Sequence, residues 1–501
     1  MRSCRKNFGF RHKSGIWMPV SSLPSEHGIG TFGPTAYAFL DFLAATGQTC
    51  WQVLPLNPTS YGDSPYQSPA SAAGNPYLID LSLLQRDGLL TEAELAPHRN
   101  AAERIDYGRL FQTRFAILRL AHGRFHPDRA YRKFLADNAD WLDDYALFMA
   151  LKEQYGYRPW TEWPKEHRDY AAARTDRGAF AEQMEFWRWV QFAFHTQWQA
   201  LRRHAHRRGI RIIGDLPIYV AHDSMEVWAA PQQFQLYKDG TPIAVAGCPP
   251  DGFSPDGQLW GNPLYDWETM RRDGFRWWLN RIGAAFRLYD ILRIDHFRGF
   301  AGYYRIPSGE ATARNGTWEK AEGAALFEAV HRRFPKAKII AEDLGFITED
   351  VLELLAQTGF PGMKMLHFAF YDEDSDNLPR RFSTENCVAY VSSHDSDCTK
   401  SWLAGLSGKA LERFDAECPR DPSRSRIEDF IAFAMRSKAA LVMTSLQDHL
   451  ELTNEEGRIN TPALASGNWS WRVPKDYDTE ELRDRIRTLT AEGGRRNRRS
   501  F

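Results

Sequence analysis

Eight short apolar runs, most of them led into by a helix-like stretch, constrain this chain more than any other feature. They lie at residues 15–20, 50–54, 210–215, 288–295, 337–342, 363–368, 387–391 and 440–443. Continuous apolar runs of this length, rich in β-branched residues, read as strands covered on both faces, which is the pattern of parallel sheets. Amphipathic segments such as 34–46, 186–207, 275–287, 324–334 and 349–358 separate them. Strands alternating with helices predict a parallel α/β architecture, and eight such units favour a (β/α)8 TIM barrel. A chain of 501 residues that is 43% hydrophobic has the length and apolar content for that core and for insertions.

Two stretches break the rhythm. From about 81 to 175 the chain is helical in period and carries many charged residues; from about 220 to 270 it is irregular and rich in Pro, Gly and aromatics. The expected organisation is a single catalytic barrel over residues 14–485 with a helical insertion at 81–175 and a loop-rich one at 220–270. No separate C-terminal β domain is expected, and residues 486–501 read as a disordered tail.

The formal net charge of -1 gives no electrostatic reason to expect nucleic acid or a membrane surface as partner. Basic clusters at 202–208 and 495–499 read as solvated surface and a frayed terminus. Six cysteines without a Cys-x-x-Cys pair, a basic N-terminus without a following apolar segment, and no run of membrane-spanning length together predict a reduced, soluble, cytoplasmic protein. Gly28-Ile29-Gly30-Thr31-Phe32-Gly33 matches the dinucleotide fingerprint only formally, because it does not leave a strand directly and no acidic residue ends the next strand. With 17 Trp, 19 Tyr and 31 Phe, the chain has many rings that can fill a core or stack on sugars.

The chemistry concentrates at strand ends. Asp215, Asp295, Glu342 and Asp395 all fall at or after the C-terminal ends of apolar runs, where barrels carry their active sites. Each alone could cap a helix or pair with an arginine. Together, beside Arg293, His296 and His394, they would share one cleft. Crowded carboxyls cannot all ionise freely, so one is held protonated while another, next to an arginine, stays charged. That division suits a retaining reaction at a glycosidic bond, with an acid, a nucleophile and a third carboxylate for the oxocarbenium-like transition state. A divalent metal is the chemical rival. The insertions, with many Trp and Tyr and few further ligands, weigh against it.

Residues 15–30 (GIWMPVSSLPSEHGIG), 61–81 (YGDSPYQSPASAAGNPYLIDL), 212–229 (IIGDLPIYVAHDSMEVWA), 249–267 (PPDGFSPDGQLWGNPLYDW), 293–300 (RIDHFRGF), 341–348 (AEDLGFIT), 359–366 (GFPGMKML) and 457–472 (GRINTPALASGNWSWR) carry a resemblance. In this order the chain resembles the 4-α-glucanotransferases called amylomaltase or disproportionating enzyme. The resemblance implies that Asp295 is the nucleophile, Glu342 the acid/base and Asp395 the transition-state stabiliser. It implies that Asp215, Arg293, His296 and His394 surround the donor sugar, and that Ser64, Tyr66, Trp260 and Asn468 line a glucan groove. Residues 246–260 would form a lid. The implied partners are malto-oligosaccharides, glucose and α-1,4-glucans, with transfer to an acceptor 4-OH and no cofactor or metal. Three places differ from the family pattern: the residues around His394-Asp395, where Val391-Ser392-Ser393 stand for a usual Thr-Gly-Thr and Ser396-Asp397-Cys398 for a usual Asn-Asp-Thr; Gly252, where tyrosine is usual; and Thr31-Phe32, read as local packing. These keep an α-glucan hydrolase, or a glucan-binding protein with weakened catalysis, as alternatives.

Overall fold

The computed structural model describes residues 12–60, 62–250, 254–462, 464 and 466–495. Twelve strands are present among them: β1 (Lys13–Trp17), β2 (Cys50–Gln52), β3 (Arg211–Leu216), β4 (Ala244–Cys248), β5 (Gln258–Pro263), β6 (Ile291–Ile294), β7 (Gly302–Pro307), β8 (Thr317–Lys320), β9 (Ile339–Ala341), β10 (Gly362–Met365), β11 (Cys387–Tyr390) and β12 (Leu441–Ser445). Eight of them close a barrel in the order β1-β12-β11-β10-β9-β6-β3-β2, every pairing parallel. These are the eight apolar runs of the sequence. The fold is the expected (β/α)8 barrel, and β6, β9, β11 and β12 are buried along their whole length.

Helices Pro34–Ala45, Ala181–Arg207, Arg276–Leu288, Gly323–Arg333, Glu349–Thr358 and Arg426–Met435 lead into barrel strands. Between β10 and β11 the described chain makes only two 3-10 turns, Leu366–Phe368 and Pro379–Arg381. Between β2 and β3 it runs through helices from Leu81–Arg86 to Ala181–Arg207. No helix among the described residues is long and apolar enough to cross a membrane.

The segment read as irregular is more ordered than its composition suggests. β4 and β5 join β7 and β8 in an antiparallel sheet, order β5-β4-β7-β8, beside the mouth of the barrel. Gly or Pro inside β4, β5 and β7 hid them from a propensity reading, and β8, which has neither, is only four residues long. The glycine at 247 is required by packing, since a Cβ there would fall 2.1 Å from the Gln258 carbonyl oxygen.

The tail reading is corrected over residues 486–495. Helix Glu480–Glu492 buries Ile486 and Leu489. Arg495, expected to fray, is fully buried; it donates to the carbonyls of Met435, Lys13, Ala439 and Ser437 at 2.6–3.0 Å. A guanidinium with its donors satisfied by carbonyls can be buried where a frayed chain end was expected. Residues 496–501 and Gly252 lie outside the described residues. The Trp content goes largely to the core, where Trp51, Trp187, Trp189, Trp198, Trp228 and Trp278 are fully buried. Thr31 donates to Asp80 at 2.6 Å and Phe32 packs edge-on against Phe194, a local packing role.

Candidate active site

The barrel register builds the site. Asp215 on β3 pairs with Arg293 on β6, so both side chains leave the same face of the sheet. Arg293 Nη1 donates to both carboxylate oxygens of Asp215 at 2.7 Å and to Asp295 Oδ1 at 3.0 Å. Asp215 is fully buried, lies beneath the cleft surface, and also accepts from Tyr66 OH at 2.8 Å. It therefore braces Arg293 and Tyr66 rather than facing the cleft directly.

Asp295 follows β6 by one residue, and its N–H donates to Leu216 O at 3.0 Å. His296 then takes a left-handed conformation, φ 46°, which is strained for a non-glycine residue. The sharp turn aims the His296 N–H at Glu342 Oε2, 2.6 Å away. Glu342, the residue after β9, receives a second backbone N–H, from Leu344 at 3.1 Å. Two adjacent strand ends thus hold two carboxyls over one cleft.

Their charge states differ. Burial, against the opposing pull of Arg293 and with a push from Asp295, raises the Glu342 carboxyl to about 8. Burial also raises Asp295, with Arg293 opposing and Asp215 and Asp395 adding, but only to about 6. Near neutrality the favoured state has Asp295 charged and Glu342 protonated.

Asp395 is reached differently. It lies five residues beyond the end of β11, in the loop 391–398, with its side chain half exposed. His394 Nε2 sits 3.2 Å from its Oδ2, and Asn460 Nδ2 donates to its Oδ1 at 2.6 Å. Enclosure works against its charge, but His394 and these hydrogen bonds prevail and hold the carboxyl at about 2. His394 is lowered by burial, yet its proximity to Asp395 leaves it net above the usual imidazole value. Tyr66 OH lies 3.0 Å from His394 Nε2, and the two rings stack at 5.3 Å.

The cleft around these groups has a volume of about 1990 Å³. Ser64, Tyr66, Trp260, Arg293, Asp295, His296, Glu342, His394, Asp395 and Asn468 all line it, and Asp215 lies just below. Trp260, on β5, meets the His296 ring edge-on at 4.9 Å. Arg458, Asn460, Thr461, Leu464 and Asn468 line one side, where Asn468 bonds back to Thr461 and Leu464. Sequence reasoning missed Asn460, although it stands in a quoted motif, because an asparagine in a loop has no pattern of its own. It also missed Arg298, whose guanidinium lies 3.6 Å over the Trp318 ring and donates to Phe346 O and Thr348 Oγ1. The unusual residues near Asp395 are all engaged: Ser392 with Asp448, Ser393 with Ser396, and the N–H of Cys398 with Asn454.

A closed parallel barrel with paired carboxyls at neighbouring strand ends and a third across a large cleft defines a barrel enzyme acting on sugar acetals. The family profile described as 4-alpha-glucanotransferase matches residues 18–478, and the chain belongs to that family. It is 42% identical over 487 residues to a 4-alpha-glucanotransferase of Clostridium butyricum, covering 95% of this chain and 100% of the relative. A Streptococcus pneumoniae serotype 4 4-alpha-glucanotransferase is 42% identical over 492 residues, covering 96% and 97%. Among solved structures, the amylomaltase of Streptococcus agalactiae in complex with acarbose superposes with a TM-score of 0.93 at 39% identity, covering 97% of this chain and all of that one. The activity is that of a glucan-transferring enzyme, and the hydrolase and binding-protein alternatives are not favoured.

Proposed function

We propose that the chain transfers α-1,4-linked glucan segments to the 4-OH of an acceptor glucan or glucose by a retaining double displacement, with Asp295 as nucleophile, Glu342 as acid/base and Asp395 as transition-state stabiliser. One observation carries this reading: of two carboxyls on neighbouring strand ends, Asp295 is paired with the buried Arg293, while Glu342 is enclosed and, among the described residues, hydrogen-bonded by backbone N–H groups alone. In the first step Glu342 protonates the departing 4-oxygen as Asp295 Oδ attacks the anomeric carbon, giving a glucosyl ester. In the second, Glu342 takes the proton of an acceptor hydroxyl, which displaces Asp295. Asp395, charged across working pH, offsets the positive charge that develops on the ring in both steps.

Transfer needs an acceptor hydroxyl at high effective concentration and little free water. Trp260 over His296 and the walls of the helical (81–175) and loop-rich (220–270) insertions supply the surfaces for it. Acarbose, the ligand of the similar amylomaltase, supports malto-oligosaccharides as the molecules this cleft takes. Cys50, Cys387, Cys398 and Cys418 form no disulfides, which fits a reducing cytoplasm.

Incubation with maltotriose tests the reading. Glucose together with chains longer than maltotriose is the expected product pattern. Glucose and maltose alone would mean hydrolysis, and binding without turnover would mean a glucan-binding protein. Asp295→Asn is expected to abolish disproportionation while keeping oligosaccharide binding; turnover by that variant would sink the nucleophile assignment.

A further inference from the structure

We infer that Asp448 is a positioning residue for the reaction, fixing both ends of the loop that carries His394 and Asp395. The inference rests on the reading of Asp395 as the transition-state stabiliser. Between β11 and helix Thr399–Gly405 the chain has no regular structure. Internally, among the described bonds, the loop is tied by Ser393 N donating to Ser396 Oγ at 2.9 Å, by the His394 Nε2–Asp395 Oδ2 contact at 3.2 Å, and by further serine contacts at 3.1–3.4 Å. Its geometry is set from outside.

From below, one carboxylate spans it. Ser392 Oγ donates to Asp448 Oδ2 at 2.5 Å, and the backbone N–H of Thr399 donates to Asp448 Oδ1 at 3.2 Å. All three residues are buried. Asp448 is itself locked onto the end of β12 by a reciprocal pair with Ser445: Asp448 N donates to Ser445 Oγ at 2.9 Å, and Ser445 N to Asp448 Oδ2 at 3.4 Å. The groups that reach Asp448 here, a hydroxyl and backbone N–H groups, carry no charge. A carboxylate buried among neutral donors is costly, and a network of this kind is kept where it fixes a unique arrangement.

From the cleft side the same loop is gripped by Asn460 at Asp395, and by Asn454 and Arg458 at Asp397. Thr399 extends the lower tie further. Its hydroxyl pairs with His367 Nε2 at 3.0 Å, and the His367 ring lies flat on Trp402 at 4.3 Å, both residues lining the cleft. Asp448 is buried and does not line the cleft, so it acts through the placement of Asp395.

The test is a double-mutant cycle on maltotriose disproportionation. Asp448→Asn keeps the shape but presents an amide NH2 where one carboxylate oxygen stood, so one loop end is released. It is expected to lower kcat about tenfold to a hundredfold with KM within about twofold, the scale of a 1 Å misplacement. Ser392→Ala cuts one tie and is expected to act in the same direction, more weakly. In an Asp395→Asn background either change is expected to cost little, because the group being positioned is gone. Unchanged kcat in both folded variants overturns the inference. So does an equal loss in the Asp395→Asn background, which would make Asp448 a support of the fold alone. If Asp448→Asn does not fold, Ser392→Ala decides on the same readouts. Wild-type turnover by Asp395→Asn by itself removes the stabiliser reading, and the inference with it.

Discussion

Glu342 and Asp395 line the same cleft but are held by different means. Glu342 follows a barrel strand directly, is 8% exposed, and hydrogen-bonds to two backbone N–H groups. Asp395 lies on a loop, is half exposed, and takes its bonds from the side chains of His394 and Asn460. Backbone donors set by strand register cannot be deleted by a side-chain substitution, whereas side-chain donors can. The acid/base is therefore buffered against change around it, and the stabiliser depends on a small set of replaceable residues. The same contrast separates their charges: burial pushes Glu342 up to about 8, and a neighbouring imidazole draws Asp395 down to about 2.

The largest effect expected is at the backbone-held carboxyl. Glu342→Gln keeps the two N–H contacts yet has no proton to give, and should cost about 4–8 kcal/mol of barrier with glucan donors. A maltosyl fluoride donor, whose leaving group needs no proton, should recover the glycosylation step in single-turnover kinetics. Equal loss with both donors would remove Glu342 from the acid role. Asp395→Asn should follow, lowering kcat by several orders of magnitude with acarbose binding weakened in parallel, since both depend on charge opposite the ring. Acarbose affinity unchanged alongside a fallen kcat would contradict that link.

The contrast also explains what could be read from the sequence. Register-bound features were legible: the eight barrel strands, Asp215, Asp295 and Glu342 all follow from apolar runs and the polar residues that end them. Asp395 was legible as part of a His-Asp pair after a run, but not its distance from the strand. Asn460 and Asp448 were not legible, because each meets Asp395 or its loop across 49 or more residues of chain, a closure that no local pattern encodes. The strands β4, β5, β7 and β8 were hidden for another reason. Glycine or proline stands inside β4, β5 and β7, which propensity counts as loop, and β8 is only four residues long. Arg495 misled in the opposite sense, since a basic C-terminal cluster usually frays while this guanidinium finds four carbonyls.

A sharper test of the side-chain-held half is Asn460→Ala. It removes the 2.6 Å bond to Asp395 Oδ1 but leaves His394 in place. The expected loss in kcat is about tenfold, well below that of Asp395→Asn. The bond favours the charged carboxylate, so its loss should raise the Asp395 pKa from about 2, which carboxyl titration by NMR would register. A variant with wild-type kcat and an unmoved Asp395 would show that His394 alone holds the stabiliser.

The smallest effect is a shift in titration on the backbone-held side. The reaction needs Asp295 ionised and Glu342 protonated, so kcat/KM should rise with pH through about 6 and fall through about 8. The sign of each limb follows from the role: protonating the nucleophile silences it below the lower value, and deprotonating the acid does so above the upper one. Because Asp295 is one of the charges that raise Glu342, neutralising it by Asp295→Asn should lower the Glu342 pKa below about 8. That shift is read without turnover, by following the Glu342 carboxyl in difference infrared spectra of the inactive variant. Glu342 titrating at an unchanged value in Asp295→Asn would mean that burial alone raises it, and that the two carboxyls, though neighbours on β6 and β9, do not sense each other's charge.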